Sequence, residues 1–416
     1  MRFCIYKRKM LILTLTLSFI LLLGWSWIKL TLDLKPTHLN GDGVKRISAS
    51  SWDPTRLPYN NPGLLRRAVY QNNLEQLLLN AATFRQDPEL VLVIQVQHKT
   101  QYLRLLIESL QQSPDIQRVL LIFSLTHLSQ EIIDIVRSVD FCQGIQIIFP
   151  YSLQLYPEEF PGQDPLDCPR DLSKEEALRR RCKNAEYPDS YGHYREAQFT
   201  QAKHHWAWML HFVWEKVLSI RNYRGSVLFI EEDSYLLPDF YHFYQLMNQL
   251  QSSEYQDCQL LSLGTHQTLE HDKEVARRID LVGWTAGKHN MGIGMKREVF
   301  SSIAHCLKEF CTYDDYNWDW SLQYISAHCL PRPLKVMVPR LPRIYQTSDC
   351  GMQQQCEPNT AAKRMASVLA SAQSYLFPSS LDIGLNQDAT PNRPHTKNGG
   401  WGDVRDHRLC QAYTKL

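Results

Sequence analysis

The sequence predicts an α/β protein whose N-terminal half is a doubly wound parallel sheet. Three short apolar runs rich in branched side chains have the length of buried strands, namely Leu90–Val96, Val119–Phe123 and Ile145–Phe149. Segments with the apolar spacing of helices, Tyr102–Leu110 and Ile132–Val139, separate these runs. Strands that alternate with helices in this way are typical of parallel sheets that carry helices on both faces.

The same two patterns predict the remaining elements. A helix is expected to lead into the globular part of the chain at Leu65–Phe84, and two further helices at Phe199–Ser219 and Phe240–Leu250. Short strands are expected at Leu260–Leu263 and Gly292–Met295. These elements extend the fold beyond the N-terminal sheet.

The N-terminus predicts a membrane anchor. Residues 10–28 contain no charged side chain and are long enough to cross a bilayer as a helix, and residues 1–9 form a short basic tail. Because positive residues stay on the cytosolic side, we expect the rest of the chain in the lumen. A cleaved signal peptide is the alternative, but the run is long for one and no small-residue cleavage site follows it. Residues 29–64 are polar and rich in proline, as in a stem, and residues 65–416 form the predicted luminal domain.

Composition excludes some classes of protein. A chain with 44% hydrophobic and 21% charged residues is ordinary for a globular protein, and a net charge of +2 gives no reason to expect nucleic acid as a partner. In an oxidising lumen, cysteines are expected to form disulfides, and ten of the eleven follow the predicted anchor. No closely spaced pair of the kind that binds structural zinc is present.

The stretch Gly225–Asp233 is the main candidate for a functional site. Its apolar run, Val227–Ile230, reads as a buried strand and ends abruptly in Glu231, Glu232 and Asp233. Adjacent carboxylates at the end of such a strand repel one another unless a cation lies between them, and Mg²⁺ or Mn²⁺ prefers oxygen ligands. The alternative is a strand followed by a solvated acidic turn, and the triplet by itself favours that alternative.

The first turn of the helix predicted at Phe199–Ser219 carries a polar cluster. Gln201, Lys203, His204 and His205 lie together there, and helix N-termini attract phosphate through their free N–H groups. In the alternative interpretation Lys203 and His204 are solvated and His205 is a hydrogen-bonded core residue. Taken by itself, the cluster favours that structural interpretation.

A second cluster, residues 311–320, interleaves Asp314, Asp315 and Asp319 with four aromatic residues. Aromatic rings beside a carboxylate form a platform for a sugar next to a general base. The alternative is a helix start capped by an aspartate, with its tryptophans in the core. The residues favour neither interpretation over the other.

Five segments follow one another behind the short basic tail: Gln95-Val96, Gln201–His205, Phe229–Asp233, Tyr313–Trp320 and Gly399–Asp403. In order and spacing they resemble the N-acetylglucosaminyltransferase II family over essentially the whole luminal domain. The resemblance implies a GT-A glycosyltransferase fold, with a Rossmann-like half for the nucleotide sugar and a second half for the acceptor. It also implies inverting, Mn²⁺-dependent transfer of GlcNAc from UDP-GlcNAc, in β1,2 linkage, to the α1,6-arm mannose of the N-glycan core.

The resemblance extends to partners and location. The expected partners are UDP-GlcNAc and an N-glycan acceptor on glycoproteins, with no nucleic acid. The chain is expected to cross the Golgi membrane once with its catalytic domain in the lumen, and it can form a homodimer.

The resemblance also implies roles for individual residues. Asp233 is expected to bind the metal and Asp319 to act as catalytic base. The segments expected to bind the nucleotide sugar comprise Gln95, Val96, Gln97, His98 and Lys99, and Gln201, Ala202, Lys203, His204 and His205. The family pairing gives disulfides Cys168–Cys182, Cys306–Cys329, Cys311–Cys410 and Cys350–Cys356, and leaves Cys142 and Cys258 free.

Several positions depart from the family pattern. Gln346 stands where relatives have a metal-binding histidine, Thr126 where they have an aspartate and Glu270 where they have an arginine. An amide oxygen is a weaker ligand than imidazole. The alternative to an active enzyme is therefore a catalytically silent Golgi protein that binds glycans or a partner transferase. Retention of both Asp233 and Asp319 favours the active enzyme.

Overall fold

The computed structural model describes residues 57–266, 275–349, 356–384 and 396–415, all within one compact unit, Trp52–Leu416. The predicted tail and anchor, most of the predicted stem, and Glu270 lie outside the described residues. Among the residues that are described, no helix is both long and apolar enough to cross a membrane.

The first described helix, α1 (Pro62–Glu75), begins inside the predicted stem. The side chain of Asn61 accepts a hydrogen bond from the Leu64 amide, and a proline occupies the first helical turn, so both signals for a helix start are present. The helix ends earlier than predicted because Gln76 adopts the left-handed conformation, with φ 47°.

The predicted parallel half is confirmed. Its strands and helices are β1 (Leu90–Val96), α2 (Thr100–Gln111), β2 (Val119–Leu125), α3 (Gln130–Arg137), β3 (Gln143–Ile148) and β4 (Val227–Glu231). The spatial order is β3-β2-β1-β4, and every neighbouring pair is parallel. β1 and β2 are buried along their whole length, as expected for strands covered on both faces.

The second half makes the sheet mixed rather than parallel throughout. Its strands are β6 (Leu260–Ser262), β7 (Arg278–Gly283), β8 (Ile293–Met295), β9 (Lys335–Pro339) and β11 (Asp382–Gly384). In the described part of the chain the main sheet has the order β11-β7-β9-β6-β8-β4-β1-β2-β3. β8 is antiparallel to β4 and to β6, so it joins the two halves.

A small antiparallel ribbon pairs β5 (Ser234–Leu236), which directly follows β4, with β10 (Ile344–Gln346). The remaining helices are α4 (Lys174–Arg180), α5 (Ala197–Lys216), α6 (Phe240–Ser253), α7 (Arg297–His305), α8 (Leu307–Thr312), α9 (Trp318–His328), α10 (Pro358–Ala372) and α11 (Val404–Ala412). Two large apolar cores form, one including residues of α2, α3 and α6 and the other residues of α5 and α7 to α9.

Three of the predicted disulfides are confirmed: Cys168–Cys182, Cys306–Cys329 and Cys311–Cys410. Cys356 is also disulfide-bonded, and its predicted partner, Cys350, lies outside the described residues. Cys142 and Cys258 are buried and free, as predicted. The bridge between Cys311 and Cys410 ties α8 to α11 across 99 residues of sequence.

Candidate active site

Two loops meet where the order of the strands reverses. β1 pairs with β2 on one side and with β4 on the other, and Gln95 near the end of β1 lies opposite Glu231 at the end of β4. Open α/β sheets bind ligands in the crevice outside the carboxyl ends of their strands at such a reversal. The topology therefore brings residues 97–99, after β1, next to the acids after β4.

Glu232 fixes the loop after β1. Its carboxylate accepts hydrogen bonds from the backbone amides of Gln97 (2.9 Å), His98 (3.2 Å) and Lys99 (3.1 Å). Burial raises the pKa of Glu232, and these three N–H donors act against that shift. Because these three amides are already bonded to Glu232, they are not available to a nucleotide.

Asp233 lies at the bottom of the crevice with 2% of its side chain exposed. Its Oδ2 atom accepts from Lys99 Nζ at 2.7 Å, from the Ser348 hydroxyl and, at 3.5 Å, from the Gln346 amide. The backbone carbonyl of Asp233 accepts both the amide and the hydroxyl of Thr347. The ribbon of β5 and β10 places these residues, since Gln346 pairs with Ser234.

The pKa of Glu231 is affected by both predicted functional acids, Asp233 and Asp319. Its side chain reaches solvent. Desolvation by the surrounding protein and the carboxylates of Asp233, Glu232 and Asp319 nevertheless raise the pKa of Glu231 to about 7, whereas the charge of Lys99 acts to lower it. Since an exposed side chain keeps much of its hydration, the neighbouring carboxylates are the stronger cause. Partial burial lowers the pKa of Lys99, but the carboxylates of Asp233, Glu231 and Glu232 outweigh it and the net pKa is raised.

Asp319 reaches the same crevice from the first turn of α9. Its Oδ1 accepts the Trp320 amide at 2.9 Å, and its Oδ2 accepts the Asn290 amide group at 3.2 Å. Asn290 is there because β8 runs antiparallel to β4, so the residues before β8 lie at the carboxyl end of β4. Burial first, and the charge of Asp315 second, raise the pKa of Asp319. A half-buried carboxyl with a raised pKa suits a general base.

A cavity of about 430 Å³ lies over the carboxyl ends of β1, β2 and β3, a size typical of ligand pockets. It is lined by the loops after these strands and by the first turns of α5, through Gln97, His98, Thr126, His127, Ser152, Leu153, Gln154, Gln198, Gln201, Ala202 and His205. Of the residues predicted to bind the nucleotide sugar, Gln97, His98, Gln201, Ala202 and His205 line it.

His205 is a fixed, neutral wall of this cavity. Its Nδ1 is 3.1 Å from the Gln95 amide nitrogen, and its Nε2 is 2.7 Å from the Ser124 hydroxyl. Since the amide donates to Nδ1, the proton is on Nε2 and is donated to Ser124. Burial lowers the pKa of His205 to about 3. Gln95 thus helps to hold the imidazole ring of His205 in place. Val96 is fully buried in the core.

Lys203 does not line the cavity, although it was predicted to bind the nucleotide. Its side chain is fully buried, and its Nζ donates to the carbonyls of Tyr313 (2.9 Å) and Asp315 (3.0 Å), over the ring of Trp401. Burial lowers its pKa well below the usual range, although nearby aspartates act to raise it. Lys203 therefore holds the loop that leads to α9.

His204 is likewise committed to internal contacts. Its Nε2 is 2.9 Å from the Asp406 carboxylate and its Nδ1 is 2.8 Å from the Tyr413 hydroxyl. Because a carboxylate only accepts, Nε2 carries the proton and Nδ1 accepts from Tyr413. The guanidinium of Arg195 binds the same carboxylate through two bonds, of 2.8 and 3.2 Å. This buried network attaches α11 to the start of α5.

The acids of the acidic and aromatic cluster differ in their roles. Asp314 accepts the amides of Ser190 and Trp401, while the buried Asp315 accepts the amide of Asn317 just before α9. Trp318 stacks on a neighbouring indole in the core. Two of the three acids are therefore structural, and the third, Asp319, faces the crevice.

Some residues of the site were missed by the sequence analysis. Ser348 and Thr347 follow a three-residue strand that carries no clear periodic signal. On α5 a usable signal was present, because Gln198, Gln201, Ala202 and His205 are spaced i, i+3, i+4 and i+7 and share one helical face. That spacing separates the cavity face from Lys203 and His204.

The polar groups around Asp233 determine which cation could bind in the crevice. Within the described ranges, no group of three His, Cys, Asp or Glu side chains is arranged to hold a metal. The carboxylate of Asp233, the amide of Gln346 and the hydroxyl of Ser348 nevertheless meet at one point. These are hard oxygen-bearing groups, and magnesium-like cations complete such incomplete sets with substrate phosphates and water. The residues fit a metal that is bound jointly with a phosphorylated substrate.

Comparison with known proteins defines the class. The family model described as N-acetylglucosaminyltransferase II (MGAT2) matches residues 66–410. The alpha-1,6-mannosyl-glycoprotein 2-beta-N-acetylglucosaminyltransferases of Mus musculus and Homo sapiens are 46% and 45% identical to the chain, over alignments that cover 100% of it and of each relative. The protein is thus a glycosyltransferase. More narrowly, it belongs to the N-acetylglucosaminyltransferase II family, as the motifs predicted.

Among solved structures, the glycosyltransferase GlyE of Streptococcus pneumoniae TIGR4 aligns with 71% of this chain and 66% of its own. Its sequence identity is 8% and the TM-score is 0.31. This likeness is too distant to support a conclusion about the fold.

Proposed function

We propose that this protein transfers GlcNAc from UDP-GlcNAc, in β1,2 linkage, to the α1,6-arm mannose of the N-glycan core. Relatives that match the chain over its full length are named for this reaction, which supports the proposal. The structural observation that carries it is the placement of two acids at one crevice. Asp233 and Asp319 come from opposite halves of the sheet, and both act on the pKa of Glu231 between them.

The two halves fit the division of labour of a GT-A fold. The parallel half carries the cavity, which is proposed to hold the nucleotide part of the donor. The half joined through β8 supplies Asn290 and, through α9, Asp319, which are proposed to meet the acceptor. The mixed sheet supports this assignment.

In the proposed reaction the acceptor hydroxyl attacks the anomeric carbon of the sugar as the bond from that carbon to the diphosphate breaks. One in-line displacement converts the α-linked donor into a β-linked product. Asp319 accepts the proton of the hydroxyl, and its raised pKa strengthens it as a base. The amides of Trp320 and Asn290 hold one oxygen each, so the carboxylate keeps a fixed orientation.

The proposal includes Mn²⁺ as cofactor. Asp233, with the amide oxygen of Gln346 and the hydroxyl of Ser348, would hold it, after the Gln346 amide turns its oxygen toward the site. When bound, the ion supplies positive charge that stabilises the departing diphosphate. Lys99 adds a second positive charge from the chain itself. We also propose that this chain crosses the Golgi membrane once. The apolar run at residues 10–28 supports this inference.

The test is a transfer assay with the purified full-length chain. UDP-GlcNAc and an N-glycan that already carries GlcNAc on its α1,3 arm are incubated with and without Mn²⁺, and the glycan mass is measured. A gain of one N-acetylhexosamine that requires Mn²⁺ is expected. Failure to transfer by the wild type, with transfer restored by Gln346→His, would mean that the metal site has decayed.

Two variants sharpen the assay. Asp319→Asn should lower the rate of transfer by about 10² to 10⁴. Glu298→Gln, which alters an exposed carboxylate in the first turn of α7, should leave the rate unchanged. If a folded wild type and Gln346→His both fail, the silent glycan-binding protein becomes the better description. Undiminished transfer by Asp319→Asn would exclude Asp319 as the base.

A further inference from the structure

The ion pair between Lys99 and Asp233 lies at the point where the proposed metal would bind. The ammonium is 2.7 Å from Oδ2 of a carboxylate that is almost fully buried, whereas the lysine side chain is 32% exposed. Ser348 and Gln346 also donate to that same oxygen atom. A cation that approaches Oδ2 of Asp233 therefore meets three hydrogen-bond donors, and one of them, the Lys99 ammonium, carries a full positive charge.

The backbone of Lys99 is fixed while its side chain is free to move. The Lys99 amide donates to Glu232 at 3.1 Å, which anchors the loop. The lysine side chain is long and flexible, and its charge is a compact point that binds phosphate as readily as carboxylate. Residues 97 and 98 of the same loop line the cavity proposed for the nucleotide. The Lys99 ammonium can therefore leave Asp233 and bind a phosphate of the sugar nucleotide while the backbone of the loop stays in place.

We propose that Lys99 competes with the divalent metal for Asp233, so that the metal binds well only when a diphosphate is present to receive the ammonium. This inference rests on the proposed function and adds a residue that couples the binding of metal to the binding of donor. Without donor, two cations at one buried oxygen repel each other, and the ammonium is already in place. With donor, the diphosphate takes the ammonium and shares the metal.

The expected size of the coupling follows from occupancy. If the ammonium holds the carboxylate for nine-tenths of the time, the apparent affinity for metal falls about tenfold. Metal and donor must then strengthen each other's binding by the same factor, because coupling between two ligands is reciprocal. Removal of the ammonium should therefore tighten metal binding in the absence of donor and weaken the coupling.

The experiment measures Mn²⁺ binding to the full-length chain, rather than turnover. Free Mn²⁺ is followed by electron paramagnetic resonance during titration, with and without UDP, and the values are corrected for the Mn²⁺–UDP complex measured without protein. For the wild type, UDP should tighten Mn²⁺ binding about tenfold or more. Lys99→Gln should bind Mn²⁺ without UDP about tenfold more tightly than the wild type, and UDP should then tighten Mn²⁺ binding by a factor about tenfold smaller than in the wild type. Lys99→Arg keeps the charge and should behave as the wild type.

A matched control is Lys335→Gln, which removes a lysine from an exposed ion pair with Asp257, away from the crevice. It should bind Mn²⁺ as the wild type does.

Equal affinities of wild type and Lys99→Gln for Mn²⁺ would overturn the inference and leave the proposed function intact. Failure of every variant to bind Mn²⁺ with UDP present would overturn both the inference and the proposed metal. Should Lys99→Gln not fold, wild-type affinities that are equal with and without UDP would overturn the inference.

Discussion

Replacement of Asp406 by asparagine should destabilise the domain by an amount that the structure allows us to work out. Asp406 is fully buried, and its two oxygens bind Arg195 and His204. Asparagine keeps the volume and one acceptor atom but removes the negative charge. The guanidinium of Arg195 is then left in the interior without its main counter-charge, at the point where α11 holds the start of α5.

The magnitude comes from the pKa of the carboxyl group. Burial acts to raise the pKa of Asp406, but Arg195 and His204 outweigh it and lower the pKa from 3.8 to about 2. A difference of this size corresponds to about 2 kcal/mol of folding free energy. Because the pKa is lower in the folded state, this stabilisation is complete above the unfolded value of 3.8 and is lost as the pH falls toward 2.

The assay is urea unfolding at pH 7 and pH 3, followed by tryptophan fluorescence. Asp406→Asn should lower the free energy of unfolding by about 2 kcal/mol at pH 7 and by about half of that at pH 3. A control, Asp382→Asn, removes an ion pair with Arg277 that is about half exposed, and should cost less than about 1 kcal/mol. A loss at Asp406 below about 0.5 kcal/mol at pH 7, or one that grows as the pH falls, would refute the pKa reasoning.

Three further variants test other parts of the site. Asp319→Asn should lower the turnover number by about 10² to 10⁴, with the dissociation constant for UDP nearly unchanged in calorimetry; loss of UDP binding instead would point to a structural role. Ala202→Leu should weaken UDP binding because its side chain fills part of the cavity, while the melting temperature stays close to that of the wild type. Lys203→Met should lower the free energy of unfolding by about 2 kcal/mol in urea titrations, because two buried carbonyls lose their donor. An unchanged midpoint would contradict that account.

The parallel half of the fold was predictable because each of its strands contains a short run rich in branched apolar residues. β1 was predicted with the bounds it has, and β2 and β3 were predicted to within two residues. The acids after β4 were visible for the same reason, since charge follows abruptly on a buried strand. The sequence thus indicates where the crevice lies.

The rest of the site depends on contacts between distant residues. β10 has three residues and too little periodicity to be recognised, so the ribbon that brings Gln346 and Ser348 to Asp233 has no signal of its own. The resemblance alone pointed to Gln346, and nothing pointed to Ser348. The residues around Lys203 favoured a solvated side chain, and the resemblance implied a nucleotide ligand; both expectations were wrong because the side chain is fully buried. Its burial is explained by the carbonyls of Tyr313 and Asp315, which accept from the ammonium, and by the ring of Trp401, which packs against it.

The bridge between Cys311 and Cys410 has a consequence for the order in which the chain matures. Proteins are synthesised from the N-terminus at about 5–20 residues per second, so Cys410 follows Cys311 by roughly 5 to 20 s. During that interval the thiol of Cys311 can meet the thiols of Cys306, Cys329, Cys350 and Cys356, and an early pairing with any of them would have to be exchanged. Oxidative folding enzymes should therefore affect the yield of competent protein through this one late bond.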